Sequence, residues 1–252
     1  MKGLERWKGK VALVTGASSG MGKAIACDLA DNGMKVVVTA RRKERLDELI
    51  ASLQSQGSTV MALAGDVGKE QDIQNIFSSI RREWGSVDVL VNNAGMGIMN
   101  SLENGSTEQW RQTLDVNVMG LSICMREALK DMEGKDDAQI INIGSFYAHL
   151  AQVPNFAYYQ AAKMAVIGIT NSQRAELKAK SSKVKLAMIS PGMTATEFRE
   201  QATGGKIPYE AYFKEFQPLM PEDISQAALY ILSTPAHVQV HDILMTPQAM
   251  GL

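Results

Sequence analysis

Short apolar runs alternate with longer amphipathic stretches along the whole chain. The apolar runs are rich in valine, isoleucine and leucine and show no regular alternation with polar residues, which is typical of parallel strands buried on both faces. They predict seven strands, at residues 10–15, 35–39, 59–64, 87–91, 139–143, 183–189 and 242–245.

The stretches between these strands have the length and periodicity of helices. They predict six helices, at residues 20–32, 43–56, 69–84, 106–132, 156–180 and 221–233. Strands that alternate with helices form right-handed βαβ units, and a succession of such units gives a parallel sheet covered by helices on both faces. Because no linker or repeat divides the sequence, we expect a single α/β domain over residues 1–252.

One segment, residues 193–217, breaks the alternation. It is longer than an ordinary connection between a strand and a helix, and it contains the aromatic residues Phe198, Tyr209, Tyr212, Phe213 and Phe216. A surface insertion without a function is the simpler alternative. So many aromatic side chains in one connection favour a substrate loop instead.

Composition excludes several classes of protein. Hydrophobic residues make up 45% of the chain, charged residues 21%, and the net charge is −1, so no positive field is available for nucleic acid or an anionic membrane.

No apolar leader or membrane-length apolar run is visible, and Cys27 and Cys124 are expected to be buried thiols. We therefore expect a cytoplasmic protein. We also expect no metal site, because His149, His237 and His241 lack ligand spacing.

The first predicted strand runs into a glycine-rich turn, TGASSGMG at residues 15–22. Gly16, Gly20 and Gly22 lack Cβ atoms, so the chain can turn sharply and a pyrophosphate can approach the N-terminus of the next helix. Many strand-to-helix turns need glycine, so the spacing alone is weak evidence. Its position between a strand and a helix indicates a dinucleotide site.

The residues after the second predicted strand bear on the choice of cofactor. NAD-selective sites hold a carboxylate there, which accepts a hydrogen bond from the ribose 2′-hydroxyl, whereas this chain has Arg41 and Arg42. A guanidinium cannot accept that bond, but it donates well to a 2′-phosphate. The alternative is a solvated pair of charges at the start of a helix. The pair favours NADP(H) as the cofactor.

Further candidates follow the third and fourth predicted strands, at the sheet edge where open α/β proteins bind ligands. Asp66 can accept a hydrogen bond from an adenine amino group, and Gly95 would let the chain pass close to the adenosine ribose. Each of them, taken alone, is more often a turn residue. The candidates at this edge are Asp66, Val67, Asn93, Ala94 and Gly95.

Tyr159 and Lys163 lie four residues apart in the predicted helix 156–180 and so share one face of it. A free phenol titrates near pH ~10, and a neighbouring cation lowers that pKa towards the range useful for proton transfer. Tyr158 has Ala162 in the corresponding position. We therefore predict that Tyr159 is a general acid and base whose pKa Lys163 lowers; a chance pair on a solvated face is the alternative.

Two polar residues extend this candidate centre. Ser145 follows the fifth predicted strand, where its hydroxyl can donate to a substrate oxygen. Asn117, a poor helix former inside the predicted helix 106–132, is either a satisfied core group or a functional group that distorts the helix and holds a water relaying protons to Lys163.

His149 either lines the pocket or is an ordinary loop residue. Apolar residues predict a pocket for a hydrophobic substrate, namely Met96, Phe146, Val153, Phe156 and Met193.

These motifs occur in a recognisable order: TGxxxGxG at 15–22, NNAG at 92–95, Asn117, Ser145, YxxxK at 159–163 and Pro191-Gly192. The chain resembles the short-chain dehydrogenase/reductase family over essentially its whole length. The resemblance implies a single Rossmann domain with a doubly wound parallel sheet of order 3-2-1-4-5-6-7 and hydride transfer to or from a nicotinamide. It also implies a catalytic tetrad, Asn117, Ser145, Tyr159 and Lys163.

The same resemblance implies that the segment after the sixth strand cradles the nicotinamide, with the backbone near Thr194 and the Thr196 hydroxyl facing the carboxamide and phosphates. Lys163 would also bind the nicotinamide ribose. With the residues above, the expected cofactor contacts are Gly16, Ser18, Ser19, Gly20, Met21, Gly22, Arg41, Arg42, Asp66, Val67, Asn93, Ala94, Gly95, Tyr159, Lys163, Pro191, Gly192, Thr194 and Thr196.

A closer likeness rests on Glu5-Arg6-Trp7, residues 121–128 and residues 232–237, which resemble the dehydrogenase/reductase member 11 group and its insect farnesol dehydrogenase-like relatives. It implies a carbonyl reductase that interconverts apolar alcohols, such as isoprenoids or steroids, with aldehydes or ketones using NADP(H). It also implies a homodimer or homotetramer, assembled through helices 106–132 and 156–180. The alternatives are an NAD-preferring alcohol dehydrogenase of the same family and a non-catalytic NADP(H)-sensing protein, against which the intact tetrad argues.

Overall fold

The computed structural model describes residues 3–150, 154–206 and 216–249. Their strands form one sheet in which every neighbouring pair is parallel, in the order β3-β2-β1-β4-β5-β6-β7. This confirms the predicted Rossmann topology. The strands are β1 Val11–Thr15, β2 Lys35–Ala40, β3 Val60–Ala64, β4 Val89–Asn92, β5 Gln139–Ile143, β6 Lys185–Pro191 and β7 Asp242–Met245.

Helices connect the strands and cover both faces of the sheet. Helices α1, α2 and α8 pack on one face, and α3, α5 and α6 pack on the other. The α-helices of the described residues are α1 Gly20–Asp31, α2 Lys43–Ser55, α3 Glu70–Trp84, α4 Thr107–Leu114, α5 Leu121–Met132, α6 Ala157–Ala179, α7 Phe198–Ala202 and α8 Pro221–Ser233. None of the described helices is both long and apolar enough to span a lipid bilayer.

The central strand β1 shows why the strand sequences are apolar throughout. Ala12 and Val14 point towards α1 and α8, whereas Val11 and Leu13 point towards α3 and α5. All five residues of the strand are buried. A strand covered on both faces has no position that favours a polar side chain, which explains the absence of alternation in the sequence.

The helix predicted over residues 106–132 is not continuous. Helix α4 ends at Leu114, residues Asp115–Gly120 form a π-helical turn, and α5 begins after it. Asn117 lies in that turn, and its side-chain Nδ2 donates to the carbonyl of Thr113 at 2.7 Å. The side chain thus competes with backbone donors for a helix carbonyl, a competition that a π turn accommodates.

The predicted substrate loop, residues 193–217, contains an unpredicted short helix, α7. Its first residues run beside the chain that enters α8, with Leu219 N donating to Met193 O at 2.9 Å and Ala195 N to Leu219 O at 2.8 Å. Of the aromatic residues expected in this loop, Phe198 and Phe216 lie within the described residues. Tyr209, Tyr212, Phe213 and the predicted pocket residue Val153 lie outside the described residues.

Candidate active site

The glycine-rich turn packs tightly against the chain that follows β4. A Cβ atom on Gly22 would lie 2.3 Å from Asn93 Nδ2 and 2.6 Å from the carbonyl oxygen of Gly16. Asn93 Nδ2 donates to the carbonyls of Thr15 at 2.9 Å and Gly16 at 3.2 Å. The Asn93 side chain therefore holds the turn in shape, a positioning role that the sequence did not reveal.

The two arginines after β2 have different surroundings. The guanidinium of Arg42 donates to Ser18 Oγ at 3.0 Å and to Ser19 Oγ at 2.8 Å, so it lies directly against the glycine-rich turn. Arg41 is exposed and lies along the mouth of the same cleft. Of the pair, Arg42 is therefore the residue that the fold holds against the glycine-rich turn.

Glu197, which the sequence did not single out, completes this end of the cleft. Its carboxylate accepts from Arg42 at 3.0 Å and from Arg45 at 2.7 Å. Hydrogen bonds from Arg45 and Arg42 lower the pKa of the Glu197 carboxyl below its usual value. No local pattern identifies this residue, because it is 155 positions from Arg42 in the sequence.

The cleft has a volume of about 1260 Å³, is open to solvent, and runs along the carboxyl ends of the strands. Asp66 lies in its wall, where Oδ1 accepts from the backbone N–H of Gly68 at 3.0 Å. Gly22 packs against Asn93 and Gly16 and is not among the residues that line the cleft. The predicted cofactor residues that line the cleft are Gly16, Ser18, Ser19, Gly20, Met21, Arg41, Arg42, Asp66, Val67, Asn93, Ala94, Gly95, Tyr159, Lys163 and Thr196.

The hydrogen-bond donors of the cleft and the shape of its glycine-rich turn both fit the phosphate groups of a dinucleotide. Ser18, Ser19 and Arg42 supply side-chain donors beside the first turn of α1, a helix of 12 residues whose N-terminus favours anions. Gly16 has a φ of +66°, in the left-handed region, and a Cβ there would lie 2.7 Å from Ala94 Cα. The glycine is therefore required both for the turn and for the close approach of the two chain segments.

Tyr159 is buried where this cleft meets a second cavity. Its ring packs against Phe156 and Phe198, with ring centroids 5.2 and 5.1 Å away. Burial raises the pKa of Tyr159 to about 12, and a hydrogen bond with Ser145 opposes that rise. The predicted lowering of this pKa by Lys163 is wrong for this arrangement, since removal from water outweighs the other influences on the phenol.

Lys163 is 4% exposed, and its Nζ lies 5.8 Å from the centre of the Tyr159 ring. Nζ donates to the carbonyl oxygen of Ile143 at 2.8 Å, which anchors the ammonium group to the end of β5. Burial lowers the pKa of Lys163 to about 8. The predicted shared helix face of Tyr159 and Lys163 is thus present, with both groups held in the interior.

Ser145 follows β5 and forms a hydrogen bond with Tyr159, whereas Asn117 lies within the π-helical turn. Ser145 is buried, and its Oγ accepts from the backbone N–H of Tyr147 at 3.2 Å. Asn117 is 1% exposed; its amide donates to Met96 O at 2.6 Å, and its Oδ1 accepts from Met96 N at 3.3 Å. Asn117 therefore joins the π-helical turn to the chain after β4, which accounts for the polar residue that the sequence placed among valines.

Gly95 brings that chain close to both interior polar groups. A Cβ atom on Gly95 would lie 3.0 Å from Asn117 Oδ1 and 3.6 Å from Lys163 Nζ. The close approach groups Asn117 and Lys163 around one stretch of backbone. The predicted water between them stays a prediction.

The second cavity spans about 580 Å³ when the open space at its mouth is included, and it adjoins Ser145 and Tyr159. Phe156 packs behind Tyr159 without lining it, and Met96 lines the cofactor cleft instead. The lining includes Phe146, Tyr147, Pro191, Gly192, Met193, Thr194, Phe198 and Arg199. This places the predicted residues after β6 beside the catalytic candidates, and it adds Tyr147 and Arg199, which the sequence did not single out.

His149 turns away from this cavity. Its Nε2 lies 3.1 Å from Ser190 Oγ and 3.3 Å from a carboxylate oxygen of Asp242, at the start of β7. The structure does not support the pocket-lining interpretation of His149, whose side chain instead joins the turn after Ser145 to β6 and β7.

Comparisons with known proteins agree with this arrangement. A sequence profile of the family described as short chain dehydrogenase matches residues 10–206. The chain is 40% identical over 252 residues to Dehydrogenase/reductase SDR family member 11 of Homo sapiens, covering 97% of this chain and 96% of that protein. It is 42% identical over 252 residues to Farnesol dehydrogenase of Aedes aegypti, covering 97% and 98%.

Among solved structures, the closed form of serine dehydrogenase complexed with NADP+ superposes with a TM-score of 0.88 at 32% sequence identity, over 96% of each chain. The family profile covers the glycine-rich turn, Ser145, Tyr159 and Lys163. Sheet order, sequence profile and full-length relatives lead to one conclusion: the chain belongs to the short-chain dehydrogenase/reductase family.

Proposed function

We propose that this protein is an NADP(H)-dependent oxidoreductase that interconverts an apolar alcohol and its aldehyde or ketone. The observation that carries the proposal is the position of Tyr159. Its side chain lies beside Ser145, at the junction of a cleft that fits a dinucleotide and a cavity of about 580 Å³. A proton donor at such a junction meets both reactants at once.

The chemistry divides between the cofactor and the chain. A nicotinamide nucleotide supplies or accepts a hydride when bound. Because the pKa of Tyr159 is about 12, its phenol is protonated at neutral pH and can give a proton to the oxygen of a carbonyl substrate. The Ser145 hydroxyl donates to the same oxygen and stabilises the charge that develops on it. Lys163 and Asn117 hold the surrounding backbone. After donation the Tyr159 phenolate regains a proton from water in the open cleft, and in the alcohol-oxidising direction the phenolate accepts the proton of the alcohol.

The preference for NADP(H) rests on Arg42, with Arg41 beside it. Arg42 follows β2, where an NAD-selective site would present a carboxylate, and its contacts with Ser18 and Ser19 in the turn after β1 bring the donors of three side chains together. The NADP+ complex of serine dehydrogenase is consistent with this choice. The residues after β6, Pro191, Gly192, Thr194 and Thr196, are proposed to hold the nicotinamide end of the cofactor.

The proposed substrate is apolar because aromatic and aliphatic side chains surround Tyr159. Phe146, Met193 and Phe198 line the cavity beside it, and apolar and aromatic linings of this kind are typical of pockets for lipophilic molecules. The name of the mosquito relative, Farnesol dehydrogenase, supports an isoprenoid alcohol or aldehyde as the first compound to test. We propose that residues 193–217 close over that substrate.

The protein is also proposed to act as a homodimer or homotetramer in the cytoplasm. The assembly proposal rests on exposed apolar side chains, Met119 in the π-helical turn and Met164 in α6. The proposed location rests on Cys27 and Cys124, which are both free thiols.

The test is oxidation of NADPH in the presence of isoprenoid aldehydes, steroid ketones, dicarbonyls and quinones. We expect turnover with apolar carbonyls and, with NADP+, with the matching alcohols. Tyr159→Phe should reduce kcat at least ~100-fold, since general acid catalysis contributes about that much or more, and should leave NADP+ binding intact. Tyr158→Phe is the matched control, because Tyr158 stacks on Trp110 with ring centroids 4.5 Å apart.

Near-normal turnover of the Tyr159→Phe variant would contradict the assignment of the proton donor. NADP+ binding without turnover of any compound by the unaltered protein would favour the sensing alternative. Equal kcat/KM with NADH and NADPH would contradict the cofactor preference alone.

A further inference from the structure

The carboxylate of Glu197 lies where the proposed cofactor phosphate would find its donors. It accepts from Arg42 at 3.0 Å and from Arg45 at 2.7 Å, and Gln201 Nε2 donates to it at 3.1 Å. Arg42 at the same time holds Ser18 and Ser19. The guanidinium of Arg42 thus forms hydrogen bonds both with the glycine-rich turn and with the carboxylate of Glu197.

Glu197 belongs to a segment that crosses over the phosphate end of the cleft. The residue before it, Thr196, packs against the glycine-rich turn, since a Cβ on Gly20 would lie 2.9 Å from Thr196 Cγ2. The residue after it, Phe198, begins α7 and packs on Tyr159. Glu197 therefore has a fixed position between Arg42 and the catalytic candidates.

We propose that Glu197 is a specificity-determining residue whose carboxylate competes with the 2′-phosphate of NADP(H) for the guanidinium of Arg42; this rests on the proposed assignment of that phosphate to Arg42. A 2′-phosphate brings negative charge to a place that already holds a carboxylate, and like charges at close range repel. NAD(H) has a neutral hydroxyl at that position, so its binding leaves the Glu197–Arg42 ion pair in place. Glu197 thereby reduces the preference for NADP(H) that Arg42 creates.

The solvent exposure of Arg42 and Glu197 limits how much Glu197 can change the binding of NADP(H). The side chains of Arg42 and Glu197 are 38% and 40% exposed, so solvent screens their interaction and only a modest energy is at stake. Removing the charge of Glu197 should therefore tighten NADP+ binding by about two- to fivefold. The change should shrink as the salt concentration rises, because salt screens exposed charges.

Titration calorimetry with NADP+ and with NAD+ tests the proposal on the full-length protein. Glu197→Gln should lower the Kd of NADP+ by about two- to fivefold and leave that of NAD+ unchanged. Glu197→Ala, which also removes the hydrogen-bonding group, should act in the same direction. Glu200→Gln is the matched control, since it removes one negative charge from α7, the short helix that begins directly after Glu197, and it should change neither Kd.

The outcomes separate this proposal from the proposed function. Looser NADP+ binding by Glu197→Gln, or an equal change for both nucleotides, would show that Glu197 positions Arg42 and would overturn the competition. If the Glu197 variants keep the NADP+ preference of the unaltered protein, the competition is overturned, while the assignment of the phosphate to Arg42 still stands. If the unaltered protein binds both nucleotides equally and Arg42→Ala changes neither Kd, the phosphate site and the competition fail together.

Discussion

At the scale of single residues, one cause acts in opposite directions on the two central groups. Burial disfavours the charged form of each, so the pKa of Tyr159 rises to about 12 and that of Lys163 falls to about 8. A neutral phenol is the form that gives a proton to a carbonyl oxygen. The buried ammonium, held by the carbonyl of Ile143, is the group whose presence costs stability.

The cost of burying Lys163 predicts a pH-dependent effect of Lys163→Met. A pKa of about 8 in place of the usual 10.5 corresponds to a free-energy penalty of about 3 kcal/mol. The folded-state pKa is the lower one, so the penalty is complete below pH 8 and disappears as the pH rises towards 10.5. We therefore expect urea unfolding to show that the variant gains stability relative to the unaltered protein at pH 7 and loses that gain by pH 10.5.

The carbonyl of Ile143 left without its donor opposes this gain by about 1–3 kcal/mol at every pH, so the diagnostic quantity is the change between the two pH values. Lys178→Met, at an exposed position of the same helix, should follow the pH dependence of the unaltered protein. Parallel curves for Lys163→Met and the unaltered protein would contradict the assigned burial penalty.

At the scale of elements, the turn from β1 to α1 is held by contacts from outside itself. Asn93, which follows β4, donates to the two carbonyls of the turn, and Gly22 leaves the space for its amide. The π-helical turn between α4 and α5 is similar, because the Asn117 side chain joins it to Met96. In both places an asparagine side chain joins elements that lie far apart in the sequence.

This packing predicts the effect of Gly22→Ala. The new methyl group would lie 2.3 Å from Asn93 Nδ2 and 2.6 Å from a backbone oxygen, so the turn must move. We expect a loss of about 1–3 kcal/mol in the free energy of unfolding, together with weaker NADP+ binding in calorimetry. Lys23→Ala, an exposed change in the same helical turn, should remain within ~0.5 kcal/mol; an equal effect of both variants would contradict the role of Gly22.

At the scale of the whole molecule, the parallel sheet brings distant segments to one edge. The turn after β1, the arginines after β2, Ser145 after β5 and the segment after β6 meet there because parallel strands all end on the same side. Helix α6 supplies Tyr159 and Lys163 from the side of the sheet. The same helix carries an exposed methionine, Met164, on its outer surface.

The proposed assembly predicts that Met164→Asp separates the subunits. Met164 is 45% exposed, and a carboxylate placed in an apolar interface would lose its hydration. Sedimentation velocity should show a dimer or tetramer for the unaltered protein and a monomer for the variant. Leu102→Asp, at a residue that is 61% exposed outside α5 and α6, should leave the assembly unchanged, and an unaltered sedimentation coefficient for Met164→Asp would exclude this interface.

The sequence alone determined the features that depend on local composition. Strands buried on both faces must be apolar, so the inner strands of the sheet were visible as short apolar runs such as residues 35–39. The glycine-rich turn and the Tyr159–Lys163 pair were visible as well, since their geometry follows from short spacings along the chain. The sheet order came from the family resemblance, and the structure confirms it.

Only the tertiary structure decided the features that depend on contacts across the sequence. The link between the π-helical turn and the chain after β4 depends on Asn117 meeting Met96, and the hydrogen bonding of Arg42 depends on Glu197, 155 residues away. The pKa of Tyr159 depends on how completely the packed chain excludes water, and for this reason the expected lowering became a rise. Desolvation and long-range pairing exist only in the folded chain, so no pattern of neighbouring residues records them.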